Sequence, residues 1–324
     1  MDIDTLNLSE EDKIKWRKHF KLTDFPGAYG ISLGEWKCNH SCRMCPMHNS
    51  SPSPERFITE TVFERACLEV GQREINLEIS SYGETFQHPG ADAFMFTARK
   101  LCPKAEIVVA TNGSMLDRER CEMIVDSGID HLSFSLDAGS PESFEWLTGS
   151  KRYNQICANL ESLIEARDKR GAKHLKISTH IIGIKELAHE FDAFVVRWSG
   201  KVDNAYVRRY GNWAGMVDGN GVSTAKPETI PEERYPCTWP WFATKIEPNG
   251  DVSKCFVHVT GENNPLGNIM EQSFESIWRG QRLEGVRQCH LEQRLDGLEF
   301  CENCIVWSLF PRYWERDPAT GVWK

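Results

Sequence analysis

Long apolar runs are missing from this 324-residue chain: nothing approaches the roughly 18 consecutive apolar residues of a membrane-spanning helix. The N-terminal stretch MDIDTLNLSEEDKIKW has no apolar core of the kind that marks an exported protein. A cytoplasmic protein with no membrane partner is the expectation. Basic charge is also short. Lys and Arg number 38 against 47 Asp and Glu, for a net charge of −9, which argues against a nucleic-acid partner. There is no internal repeat and no low-complexity tract, so a solenoid or a long disordered linker is excluded. What remains is an ordinary globular balance, 40% hydrophobic, at a length that suggests two domains.

Cysteine is plentiful instead, with twelve in the chain. A reducing cytosol disfavours disulfides, so metal binding or catalysis is the better reading, and spacing decides which cysteines matter.

Short β-type runs alternate with longer helical patterns. Strands are expected at 31–36, 75–80, 106–110, 131–136, 175–182 and 205–209. Helices are expected at 59–72, 91–101, 117–127, 154–170 and 186–198. Strands separated by such helices read as βα units around a parallel sheet. The fold class is therefore α/β, a partial (β/α)6 TIM-like barrel over 31–210 behind a polar lead-in at 1–30. Glycine and proline then mark 211–236 as a linker. A hairpin around Pro248-Asn249-Gly250-Asp251 and a helix at 274–288 begin a small second domain, 237–324.

Cys38-Asn-His-Ser-Cys42-Arg-Met-Cys45 follows the first strand. Structural zinc wants four ligands, usually in paired knuckles. Three thiolates on one tight loop hold three corners of a [4Fe–4S] cube and leave the fourth iron open. His40 and His48 are the only nearby candidates for a fourth ligand, against the reading of both as loop histidines.

This loop resembles that of the radical S-adenosylmethionine (radical SAM) superfamily. The resemblance implies that the open iron chelates SAM, and that the reduced cluster cleaves it to a 5′-deoxyadenosyl radical. Barrel enzymes build their sites at the C-terminal ends of strands, and the unusual polar residues fall there. Ser80-Ser81-Tyr82-Gly83-Glu84 is similar to the family's GGE motif for the SAM amino group, with Gly83 and Glu84 the carried-over positions. Thr111-Asn112-Gly113 resembles the segment near the SAM methionine or ribose. In Leu132-Ser133-Phe134-Ser135-Leu136-Asp137, period-two alternation puts Ser133, Ser135 and Asp137 on one face, where the family contacts ribose and carboxylate. His180 near the end of strand five joins the implied SAM contacts, and Met44 stands where the family packs on adenine.

A second set follows: Cys237, Cys255, Cys289 and Cys301-Glu-Asn-Cys304. It is similar to the SPASM and twitch extensions of the superfamily, including enzymes of the 2-deoxy-scyllo-inosamine dehydrogenase type. Five cysteines are too few for two more clusters, so one auxiliary [4Fe–4S] cluster is expected on Cys237, Cys255, Cys301 and Cys304. A zinc ribbon is the competing reading, and it lacks its first knuckle. Cys289 is left over, as a core thiol, a fifth contact or a hydrogen-atom donor. Cys67, Cys102, Cys121 and Cys157 sit beside apolar residues and read as structural.

One closed auxiliary cluster suits oxidation. The expected reaction is oxidation of a secondary alcohol on a small sugar or aminocyclitol, with a flavodoxin- or ferredoxin-type electron donor. The short segment before Cys38 argues against a peptide-recognition domain and so for a small polar substrate. Arg208, which ends strand six, is the candidate for holding or deprotonating the substrate oxygen. The alternatives are an epimerase with Cys289 returning hydrogen, a peptide-modifying maturase, and a non-catalytic zinc scaffold.

Overall fold

The computed structural model describes residues 24–49, 56–217, 221–224, 230–257, 265–298, 300–309 and 314–323. Most of the expected lead-in thus lies outside the described residues. Eight strands form one sheet: β1 (Ala28–Lys37), β2 (Arg56–Phe57), β3 (Asn76–Gly83), β4 (Glu106–Thr111), β5 (His131–Asp137), β6 (Lys176–Gly183), β7 (Asn204–Arg209) and β8 (Ala243–Ile246). β1, β3, β4, β5, β6 and β7 are parallel neighbours in chain order, which is the expected six-unit partial barrel.

Between them run α1 (Glu60–Val70), α2 (Ala91–Leu101), α3 (Arg118–Asp126), α4 (Pro141–Thr148), α5 (Tyr153–Arg170) and α6 (Phe191–Trp198). Side-chain caps start several of these. The oxygens of Thr59, Asp117 and Ser140 accept from Val62, Arg120 and Ser143 backbone N–H groups, each satisfying an otherwise orphaned donor. Ser140 is followed by Pro141, whose fixed φ suits the first helical position. The helices bury one stripe against the sheet; α1 buries Val62, Phe63, Ala66, Cys67 and Val70. Each fully buried Phe, Leu or Ile contributes about 1.5–3 kcal/mol. Cys67, Cys102 and Cys121 are fully buried in this core and Cys157 nearly so, as packing residues.

The C-terminal region departs from expectation in two ways. The first arm of the expected hairpin, β8, pairs in parallel with β1, from Ala28↔Ala243 to Ile31↔Ile246. The expected hairpin still closes after it, through the antiparallel Ile246↔Val252 bridge and the Ser253 N to Lys245 O bond (2.9 Å), while Asp251 bridges onward to Asn268. Ile246, Val252, Phe274 and Trp278 consequently pack into the barrel's own core. The single expected helix at 274–288 is two, α8 (Phe274–Trp278) and α9 (Gln281–Leu291), because Gly280 turns extended to serve as the next N-cap. Before them lies α7 (Trp239–Phe242). A second, aromatic cluster contains Tyr235, Trp239, Trp241, Trp307 and Trp314.

Candidate active site at the barrel mouth

The cysteine loop leaves the end of β1 and is clasped by the end of α4. Ser41 N donates to Thr148 O (2.9 Å) and Arg43 N to Leu147 O (2.8 Å). The Arg43 guanidinium also donates to Trp146 O (2.8 Å) and lies over that indole. Cys45 N bonds Cys42 O and His48 N bonds Cys45 O, so the loop turns tightly about its thiols. His48 Nδ1 is engaged with Ser41 O at 2.8 Å, and His40 stands edge-on to Phe144. His48 is thus used in shaping the loop, whereas the buried His40 Nε2 has no hydrogen-bond partner.

The thiols share one neighbourhood. Burial pushes the Cys42 thiol well above its usual range, and the negative charges of Asp137, Cys45 and Cys38 push it further. Burial likewise raises Cys38 to about 11. Three crowded thiols, of which Cys38 and Cys42 resist ionisation by themselves, fit a cationic iron centre, which would stabilise the thiolates.

Glu84 ties the ends of β3 and β4 together. Its carboxylate accepts from Thr111 Oγ1 (2.6 Å), Asn112 N (2.7 Å) and Phe86 N (3.1 Å), while burial raises its pKa. Three of its roughly four acceptor positions are therefore filled by the chain itself. Asn112 reaches on to the cysteine loop, donating to Asn39 Oδ1 (3.0 Å) and lying 3.9 Å from Cys38 Sγ. Gly113 holds φ at 72°, and a Cβ there would sit 1.9 Å from the Phe134 ring. Gly83 has φ 148°, a region essentially reserved for glycine.

Across the barrel, the register Ser133↔Ser178, Ser135↔His180 and His180↔Tyr206 sets these side chains on one face. His180, 1% exposed, meets Asp137 Oδ1 at 3.1 Å, and Asp137 has a strained positive φ of 64°. Arg208 Nη1 lies 3.5 Å from His180 Nε2, so the expected inward-facing arginine joins this group. Met44 is half-buried against the core.

One residue was not singled out from sequence. Lys245, in β8, is 5% exposed and pairs with Gly30, which pairs with Glu78 across the sheet. Its Nζ sits 3.3 Å from the Tyr82 ring centroid. Burial lowers its pKa against the opposing pull of Glu247, Glu78, Cys255 and Glu35. The only signal in sequence was a lone lysine within a short apolar run.

In the C-terminal region, Cys237, Cys255, Cys301 and Cys304 line one cavity with Trp239 and Trp307. Burial, then the charges of the other three cysteines, raise the Cys237 thiol. Asn212 brackets the CxxC knuckle, donating to Asn303 O (2.9 Å) and accepting from Ile305 N (3.1 Å). Arg234 donates to Cys301 O and Glu302 O. Four thiols converging from separate segments fit a closed cluster site. Cys289, half-buried on α9, is not among the lining residues; its neighbour His290 is. No disulfide joins any of the twelve cysteines, all of which lie among the described residues.

The parallel barrel thus carries a three-thiol loop at its mouth, and a four-thiol cavity lies in the C-terminal region. Residues 37–195 match the model of the radical SAM superfamily, and residues 237–305 match an iron-sulfur cluster-binding domain, SPASM. The chain belongs to the radical SAM superfamily. It is 20% identical to the S-adenosyl-L-methionine-dependent 2-deoxy-scyllo-inosamine dehydrogenase of Niallia circulans, over 83% of this chain and 88% of that protein. It is 25% identical to GTP 3′,8-cyclase of Microcystis aeruginosa, over 46% of each. The structure of BtrN in complex with AdoMet and 2-DOIA shares the fold at TM-score 0.59 and 17% identity, covering 86% of this chain and 93% of that one. Streptococcus suis SuiB bound to its precursor peptide SuiA shares it at TM-score 0.65 and 17% identity, covering 94% and 76%. Among the described residues no helix is long and apolar enough to cross a membrane.

Proposed function

We propose that this radical SAM enzyme oxidises a secondary alcohol of a small polar substrate, a sugar or aminocyclitol, using one [4Fe–4S] cluster at each site. The observation that carries the reading is the four-thiol cavity, whose complete ligand set leaves no position for substrate. When bound, the barrel cluster with SAM supplies a radical that takes a hydrogen atom from carbon, and the second cluster supplies an acceptor for the remaining electron.

Cys38, Cys42 and Cys45 hold the first cluster; Cys237, Cys255, Cys301 and Cys304 hold the second. Gly83, Glu84, Thr111 and Asn112 form one side of the SAM site, and Ser133, Ser135, Asp137 and His180 the other, with Met44 toward the adenine. Oxidising an alcohol also requires a proton acceptor. Arg208 is permanently charged and holds the substrate oxygen without taking its proton. Lys245 is the better acceptor, because burial favours its neutral amine and it faces the barrel interior beside Tyr82. The similarity to 2-deoxy-scyllo-inosamine dehydrogenase, over 83% of this chain, supports the substrate class. A flavodoxin- or ferredoxin-type protein in the cytoplasm supplies electrons.

The test is product mass. Anaerobically reconstituted protein with SAM, reductant and a panel of aminocyclitols and sugars should give 5′-deoxyadenosine and a product two hydrogens lighter. A product isobaric with substrate, lost on Cys289→Ala, would replace oxidation by epimerisation.

A further inference from the structure

His290 is a buried polar group that the reaction above does not use. α9 places it in the wall of the four-cysteine cavity, 2% exposed. Its Nδ1 is sealed from solvent with no hydrogen-bond partner. Its ring stands edge-on to Trp241 at 6.4 Å, which is contact and not a bond. Its backbone carbonyl accepts from the Gln293 side chain and helps close the end of α9. An orphaned buried polar group costs about 1–3 kcal/mol, so its persistence calls for an unseen partner.

The surroundings restrict what that partner is. An imidazole carries at least one ring N–H whatever its charge, so the ring has a donor to offer. The wall beside it is largely apolar, with Trp239, Val286, Leu298 and Trp307. A cluster ligated by four thiolates is anionic and offers sulfur acceptors. Hydrogen bonds to those sulfurs favour the reduced state and raise the potential.

We propose that His290 donates its ring N–H to a sulfur of the cluster held by Cys237, Cys255, Cys301 and Cys304, and so raises that cluster's reduction potential. This rests on the reading of the cavity as a cluster site. His290 is a positioning residue: it supplies no bond to iron and touches no substrate.

The test uses the full chain with Cys38, Cys42 and Cys45 all changed to Ala, which leaves one cluster to observe. A redox titration followed by electron paramagnetic resonance should give a more negative midpoint for His290→Leu than for His290, at equal iron content. His290→Gln, which keeps an N–H donor, should recover part of the shift. Double resonance on the same cluster, with isotopically labelled histidine and His290 intact, should detect a weakly coupled nitrogen even if the leucine variant misfolds. Equal midpoints, or no coupled nitrogen, would overturn the proposal. Loss of iron in His290→Leu with the fold retained would make His290 a ligand and overturn it differently. No iron in the triple variant with His290 intact would instead sink the cluster reading itself.

Discussion

The two cysteine sites are built in opposite ways. At the barrel mouth, Cys38, Cys42 and Cys45 sit on one short loop, held by backbone bonds to α4 and ringed by Asn39, Asn112, Glu84 and Asp137. In the C-terminal region, Cys237, Cys255, Cys301 and Cys304 come from three separate segments and meet in an aromatic-walled cavity. The first is locally encoded, polar and three-cornered; the second is assembled by the fold, largely apolar and four-cornered. On the proposed reading the difference separates two tasks: one site admits a polar cofactor, whereas the other only exchanges an electron.

Substitutions can break this division of labour. The largest effect is expected from Cys42→Ala, which should abolish 5′-deoxyadenosine formation while the second site keeps its iron, about half the total. If cleavage persists, the two sites are not distinct in function. Changing Cys301 and Cys304 together should preserve SAM cleavage and remove oxidised product, checked by chromatography of both products from one reaction. Lys245→Met should fall between: SAM cleavage intact, oxidised product lowered ~100-fold or more, as for loss of a general base. A normal product yield would leave Lys245 as a packing residue.

Smaller effects sharpen the contrast. Glu84→Ala removes the shared acceptor of Thr111 and Asn112, and should cost about 1–3 kcal/mol in urea unfolding for each donor left unpaired, together with weaker SAM binding in equilibrium dialysis. Unchanged binding with lowered stability would make Glu84 a bracket alone. Near the second site, His290 titrates at about 4 when folded and near 6.5 when unfolded. The unfolded chain therefore takes up the proton first as pH falls. Stability of the cluster-free chain should be unaffected above about pH 6.5 and decline toward pH 4, by on the order of 3 kcal/mol for this group. His290→Gln should flatten that decline in urea melts at successive pH values.

The same contrast explains what could be read from sequence. The three-cysteine loop was legible because its ligands are neighbours, and the six barrel strands because apolar runs and helices alternate. The alternation in β5 placed Ser133 and Ser135 on one face, where their pairing with Ser178 and His180 puts them. The four auxiliary cysteines were legible as a set, from count and spacing, though not as a cavity. Lys245 was not legible, because β8 has only four residues and its inward face is defined by the register to Gly30, which no local pattern encodes. His290 was not legible, because which residues of α9 meet the cavity is set by the packing of that helix and not by any local pattern. The α4 clasp on the loop depends on backbone carbonyls, to which side-chain identity is nearly blind.

The β1–β8 ladder also bears on how the molecule is made. Roughly two hundred residues separate Ala28 from its partner Ala243, which at about 5–20 residues per second means tens of seconds of synthesis. Through that interval the outer edge of β1 below the short β2 pairing has no native strand beside it. Exposed edges recruit stray strands. The ribosome-bound chain therefore passes through a long stage in which its first strand is its most vulnerable element, and completion of the C-terminal region is what closes that exposure.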